Sequence, residues 1–340
     1  IVSLKLKQPV LELAGQPGLN ILELYQDKSL DPKMSAWNLD EVHQSMLYQR
    51  GGSLLRPLSL VETVLFQKAT LVRKIGHSTV VQHLYLFRKE PMVRILTEVN
   101  WQERECVLKA WFPTAFRTAQ ATCEVQFGAL ERPSHTNTSY EQARFEVPAQ
   151  RWVDLSREEA GLALINDGKY GHSFSRGEFR LTLLRSSISP DSQADRGHHV
   201  FSYALYPHRG RWSAARVPEY AGQFNQPVLC CRGFVRPELK GAHLVLKEAG
   251  RDRSHLLVET AKMGQDRKSL ILRLYEAFNT AGQVCLKLNL PRLTFGRVWL
   301  CNLLEQPEHL LAERYGAEGV SFSYQPYQII TVKFELDRTG

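Results

Sequence analysis

The chain has 340 residues, 43% of them hydrophobic and 23% charged, enough apolar material for one large domain or two ordinary ones. Its net charge of +8 comes from 43 basic and 35 acidic residues scattered along the sequence. That scatter argues against the clustered basic stripe of a nucleic-acid binder. No run reaches the roughly 18 apolar residues of a membrane span, and the opening IVSLKLKQPV is not a signal peptide, so a soluble chain with no membrane partner is expected. The start at Ile1, without methionine, suggests a processed or partial chain.

Sixteen prolines, 22 glycines and the lack of long helical periodicity tilt the class to all-β. Along the chain, Val93, Ile95, Thr97 and Val99 alternate with Arg94, Leu96 and Glu98, a period-two strand with one buried face. Trp101, Trp111 and Trp152 sit in similar surroundings and read as core. Glu131–Trp152, ERPSHTNTSYEQARFEVPAQRW, interrupts this pattern as a long polar connector. A short helical turn is expected at Ser156–Ala160 with Ser156 as its cap. Phe179, Leu181 and Leu183 then alternate with Arg180 and Thr182, and Arg185 ends that strand in reach of a carboxylate. Asp191 and Asp195 flank a turn with too few oxygen ligands for calcium.

The proline-bearing stretch RVPEYAGQFNQPV, Arg216–Val228, marks a domain boundary, giving a large β-sandwich over 1–228 and a smaller one over 229–340. In the second part Val284, Leu286, Leu288 and Leu290 alternate with Cys285, Lys287 and Asn289, and Val332, Phe334 and Leu336 with Lys333 and Glu335. A second helical turn is expected at Pro307–Tyr315, stopped by Gly316.

The six cysteines, Cys106, Cys123, Cys230, Cys231, Cys285 and Cys301, form no C-x-x-C pair, and buried reduced thiols in a cytoplasmic protein are expected. Nucleophile elbows, phosphate loops, dinucleotide fingerprints and H-E-x-x-H helices are absent from the sequence. The eleven histidines are scattered; the adjacent His198 and His199 point to opposite faces of a strand and do not suit one metal.

Several long stretches carry a resemblance. TEVNWQERECVLKAWFP from Thr97, ATCEVQFGALERPSHTNTSYEQARFEVPAQRWVDLS from Ala121, GLALINDGKYGHS from Gly161, FRLTLLRSS from Phe179 and DRGHHVFSYALYPH from Asp195 resemble the C-terminal part of family 38 glycoside hydrolases. These are the α-mannosidases, and the cytosolic and bacterial branch is the most similar. LILRLYEAFNTAGQVCLKLNL, Leu270–Leu290, resembles that family's small terminal β-domain. Three positions depart from the branch's usual pattern: Gly168 where Cys is usual, Tyr140 for Trp, and Ser134 for Thr.

The resemblance implies a galactose-mutarotase-like supersandwich followed by a small β-sandwich. Together they form the non-catalytic C-terminal part of a zinc-dependent retaining enzyme acting on terminal α-mannose. Zinc, the Asp nucleophile and the acid/base group would lie in an N-terminal catalytic domain, so no cofactor and no catalytic residue is assigned to this chain. Its partners would be that domain and mannose-containing glycans. Sugar recognition needs fixed donors and acceptors for hydroxyls, and two polar segments offer them: Arg132, His135, Asn137 and Tyr140 in the connector, and Asn166, Asp167, Lys169 and Tyr170 in the following turn. The bland alternative is that these groups only fold their own loops. Asn137-Thr138-Ser139 is also a glycosylation sequon, which a cytoplasmic chain would not use. Alternative functions are a stand-alone carbohydrate-binding module, a structural or homo-oligomer-forming sandwich, and, least favoured, a sugar epimerase.

Overall fold

The computed structural model describes residues 1–7, 10–175, 177–226, 228, 243–291 and 293–337. The chain divides into two compact units, Ile1–Glu124 with Leu130–Pro227, and Val125–Ala129 with Val228–Gly340. Both are antiparallel β-sandwiches, as the all-β expectation holds. The expected boundary at 228/229 abuts residues 229–242, which lie outside the described ones together with Cys230 and Cys231.

The larger unit faces a six-stranded sheet against a ten-stranded one. The first runs Val147–Pro148, Gly171–Ser175, Glu178–Ser186, Cys106–Pro113, Ile21–Gln26, Leu47–Arg50. The second runs Gly128–Pro133, Gln120–Val125, Trp152–Ser156, Ala160–Asn166, Gly197–Arg209, Val93–Trp101, Ser78–Phe87, Phe66–Ile75, with Ser53–Leu54 and Ser59–Glu62 along the free side of the last. Strand alternation puts Leu22, Leu24, Leu108, Phe112, Phe179 and Leu181 from one sheet against Ile95, Val99, Leu162, Leu164, Phe201 and Tyr203 from the other. The buried phenol of Tyr203 is held by polar partners, accepting from Gln82 at 2.7 Å and donating to Asn20 at 2.7 Å, which removes the penalty of an unpaired hydroxyl in that core.

The smaller unit pairs a three-stranded sheet (His243–Glu248, Gly282–Asn289, Val320–Tyr324) with a five-stranded one (Leu256–Met263, Ser269–Glu276, Ile329–Leu336, Phe295–Cys301, Pro307–Ala312). Val284, Leu286, Val332 and Phe334 fill its core. Cys285, on the opposite side of its strand from Val284 and Leu286, is only half-buried, whereas Cys106, Cys123 and Cys301 are buried free thiols. Burial pushes the first two of those up to about 12 and Cys301 up to about 11.

Both expected helical turns are corrected. Ser156 ends one strand and Ala160 begins the next, with the Arg157 N–H donating to Ala160 O at 2.9 Å, so the segment is a hairpin turn. Pro307–Ala312 is an edge strand paired with Phe295–Cys301, where ladder bonds override the helix-favouring residues Glu308, Leu310, Leu311 and Ala312. The boundary stretch is mostly helical instead: Val217–Asn225 forms an α-helix with Pro218 in its first turn, where the missing N–H costs nothing, and Glu219 beside the positive end of the helix dipole.

Candidate functional site

The outer face of the six-stranded sheet is unusual because its side chains are charged yet buried. Strand parity dictates which ones meet there. Leu22 and Leu24 point into the core, so Glu23 and Tyr25 point out; Leu108 and Ala110 point in, so Lys109 and Trp111 point out; Phe179 and Leu181 leave Arg180 and Thr182 on the same outer face. Register places Trp111 opposite both Ile21 and Arg180 on its two neighbouring strands.

Glu23 is fully buried and collects three donors: Arg50 Nε at 2.9 Å, Arg180 Nε at 2.8 Å and the Tyr25 hydroxyl at 2.6 Å. Burial, then the hydrogen bond to Glu23, pushes the Tyr25 phenol above its ordinary value. The guanidinium groups of Arg50, at 4.6 Å, and Arg180, at 5.2 Å, both lie over the Trp111 ring, whose Nε1 donates to Glu178 at 3.0 Å. Beside this cluster Lys109 donates to Glu146, whose second oxygen accepts from Thr182. His172 is fully buried, its Nδ1 donating to Tyr170 O at 3.1 Å, and burial lowers its pKa to about 4.

A cavity of about 370 Å³ opens over this face. Tyr25, Lys109 and Arg180 come to it from the sheet, His43 from the short 3₁₀ helix Glu41–Ser45, and Arg132, His135, Glu141 and Phe145 from the connector. The His43 ring packs against Tyr25 and Phe145, with centroids 6.0 and 5.8 Å away.

The structure places the eight residues singled out from the sequence in two locations. Arg132 and His135 line the cavity. The connector folds on itself through a capping box: Thr138 Oγ1 accepts from Glu141 N, and Glu141 Oε2 accepts from Thr138 N at 3.0 Å, Asn137 N at 2.7 Å and His135 Nδ1 at 3.1 Å. A slight desolvation of Glu141 is outweighed by these bonds, which hold its carboxyl below its ordinary value. Asn137 therefore reaches Glu141 by its backbone, and Tyr140 stands exposed in the same turn.

Asn166, Asp167, Lys169 and Tyr170 are not among the residues lining that cavity. Asn166 is buried with both ends of its amide engaged: Nδ2 donates to Gln150 O at 2.8 Å, and Oδ1 accepts from Gly168 N and Lys169 N at 2.9 and 2.8 Å. Those bonds shape the turn. Asp167 accepts from Ser202 N at 2.7 Å, and Lys169 lies over Phe201 at 4.3 Å; burial raises the pKa of the first and lowers that of the second. Tyr170 is exposed. Gly168 has φ of +133° with open space around a would-be Cβ, so a cysteine there meets no clash but would be strained in this backbone conformation.

Glu23, Tyr25, Lys109, Glu146 and Arg180 escaped the sequence reading. For all but Glu146, which lies in the polar connector, the signal was a charge or phenol at alternate positions inside the apolar runs ILELYQ, CVLKAWFP and FRLTLL. Arg185 does meet a carboxylate, donating to Asp27 Oδ2 at 2.6 Å.

Two family models match this chain in order. That described as the glycosyl hydrolases family 38 C-terminal domain covers residues 1–193, and that of the glycosyl hydrolases family 38 C-terminal beta sandwich domain covers 255–332. The chain belongs to glycosyl hydrolase family 38. It is 41% identical over 250 residues to alpha-mannosidase 2C1 of Homo sapiens, an alignment covering 72% of this chain and 23% of that protein. Against alpha-mannosidase G of Dictyostelium discoideum it is 33% identical over 264 residues, covering 76% and 24%. The chain thus spans about a quarter of the length of these curated relatives. The crystal structure of an alpha-mannosidase from Enterococcus faecalis V583 shares the fold with a TM-score of 0.74 at 14% identity, covering 98% of this chain and 40% of that one.

Proposed function

We propose that this chain is the non-catalytic C-terminal part of a cytoplasmic, zinc-dependent, retaining α-mannosidase that removes terminal α-mannose from glycans, organised as domains 1–228 and 229–340. The observation that carries the reading is the ordered match to both family 38 C-terminal models on a chain that covers 23% of a full α-mannosidase. Among the described residues no three His, Cys, Asp or Glu side chains gather as a metal ion requires, so no residue here is assigned to zinc, which the reading places in the N-terminal catalytic domain. Two of the three carboxylates at the cavity, which is also lined by Glu41, are engaged. Glu141 is bound by its own loop and Glu178 by Trp111, an arrangement that favours a supporting role over acid/base work. No helix among the described residues is long and apolar enough to cross a membrane.

In this reading the chain supports the catalytic domain and completes its substrate cleft, with Arg132 and His135 at the cavity as the groups best placed to meet sugar hydroxyls. The test is made in the full-length protein. His135→Ala and Arg132→Ala should each lower kcat/KM for an aryl α-mannoside by about 1 kcal/mol of lost contact, with more for the charged Arg132. Lys169→Ala should do less. Unchanged kinetics with a lowered Tm would remove the cavity from the cleft and leave the connector as a clasp that folds only itself.

A further inference from the structure

The short 3₁₀ helix Glu41–Ser45 brings a histidine to the cavity over the six-stranded sheet. His43 is 1% exposed, and both nitrogens of its ring need partners. Nδ1 lies 2.8 Å from the Asp40 carbonyl oxygen, which also accepts from the His43 backbone N–H at 3.1 Å. A carbonyl oxygen has no proton to give, so Nδ1 carries the ring proton. Burial, then the nearby Lys109 charge, lowers the pKa of the imidazole, which keeps the ring neutral. In that tautomer Nε2 holds a lone pair. It is buried, and no donor among the described residues reaches it. Native folds rarely leave such an acceptor bare.

The surroundings limit what can supply the donor. An anion is disfavoured, because the cations at the cavity are already matched: Arg180 with Glu23 at 2.8 Å and Lys109 with Glu146, while Glu41 adds a negative charge of its own. A metal ion would need further ligands beside Nε2, and among the described residues no such group of His, Cys, Asp or Glu forms. A neutral molecule rich in hydroxyls fits both demands, since each hydroxyl donates as well as accepts. The cavity's volume of about 370 Å³ lies within the range of about 300–1,000 Å³ for small-molecule sites, and the rings of Tyr25 and Phe145 give it apolar wall beside the polar groups.

We propose that this cavity binds a pyranoside and that His43 Nε2 accepts a hydrogen bond from one of its hydroxyls, with Arg132 among the donors. The proposal rests on the reading that places the cavity in a sugar cleft.

Two amide substitutions separate the two ring nitrogens. His43→Asn keeps a donor for Asp40 O and deletes the acceptor. His43→Gln sets an amide oxygen near the Nε2 position and gives up the Asp40 bond. Binding of methyl α-D-mannopyranoside to the 340-residue chain, titrated by saturation-transfer NMR, should weaken about fivefold in His43→Asn and stay within about twofold of wild type in His43→Gln. The reverse order, with His43→Asn unchanged and His43→Gln weakened, would show that the ring only folds its own helix and overturns the proposal. Absence of saturable binding to the wild-type chain overturns it too, and leaves water as the partner of Nε2. Mannosides with one hydroxyl replaced by fluorine, which cannot donate, repeat the test without mutating His43. One analogue should bind wild type about fivefold more weakly than the parent sugar, yet bind His43→Asn as well as the parent does; no loss, or an equal loss in both proteins, contradicts the assignment. Kinetics of the full-length protein separate the site from the reading beneath it. Binding in the expected order with kcat/KM unchanged in Arg132→Ala, His135→Ala and His43→Asn keeps the sugar site and removes it from the mannosidase cleft. Lowered kcat/KM in the first two, with His43→Asn unchanged in both kinetics and binding, sinks the role of His43 alone.

Discussion

Replacing Glu23 by leucine removes one carboxylate from beneath three donors and should destabilise the larger unit by about 2 kcal/mol. Breaking a buried ion pair by deleting one partner costs about 3–5 kcal/mol, because the remaining charge stays desolvated. The structure places this site at the low end of that range. Arg50, with 46% of its side chain exposed, recovers water on losing its partner, whereas Arg180 at 19% and the buried Tyr25 hydroxyl do not. The cost is thus about 3 kcal/mol, of which the buried leucine returns about 1 through its own apolar area. Arg50→Ala, which removes a half-exposed partner and leaves Glu23 bound by Arg180 and Tyr25, should cost about 0.5 kcal/mol from the ion pair. Urea titrations followed by tryptophan fluorescence read both as shifts of midpoint at constant slope. If Glu23→Leu and Arg50→Ala prove equal, and both below about 0.5 kcal/mol, the buried charge cluster does not hold the outer face of the sheet together.

Leu286→Ala and Phe334→Ala should each destabilise the smaller unit by about 2–5 kcal/mol, since both side chains are fully buried between its two sheets; a change of a few tenths in a denaturant melt would contradict that packing. His172, neutral when folded down to about 4 against 6.5 for an exposed imidazole, takes up its proton earlier in the unfolded chain. Its contribution to stability is complete above 6.5 and is lost as pH falls toward 4, on the order of 3 kcal/mol in all. The difference in stability between wild type and His172→Gln, measured across that window, should show this slope; parallel pH curves would show that His172 is not held neutral.

Period-two alternation made the two cores legible, because burying one face of a strand writes itself into every second residue: Ile95, Thr97 and Val99, or Val284, Leu286 and Leu288. The same rule hid the charged face. Glu23, Lys109 and Arg180 occupy the outward positions where a solvent-exposed residue would sit, and only tertiary pairing shows that they are covered. Local composition misled at Pro307–Ala312, where helix-favouring residues yielded to ladder bonds with Phe295–Cys301, and at Val217–Asn225, where a proline that reads as a linker sits harmlessly in the first turn of a helix. Of the two polar segments, both were visible as donor-rich breaks in apolar sequence. That Arg132 and His135 share a cavity while Asn166 ties its turn to the Gln150 carbonyl depends on contacts between residues distant in sequence, which one sequence does not display.

The central claim is tested most directly by measuring turnover of an aryl α-mannoside, with added zinc, by the 340-residue chain and by the full-length protein side by side. Zinc-dependent hydrolysis by the full-length protein and none by the 340-residue chain is the predicted result. Zinc-dependent turnover by the 340-residue chain alone would contradict it and place a catalytic centre within these two sandwiches.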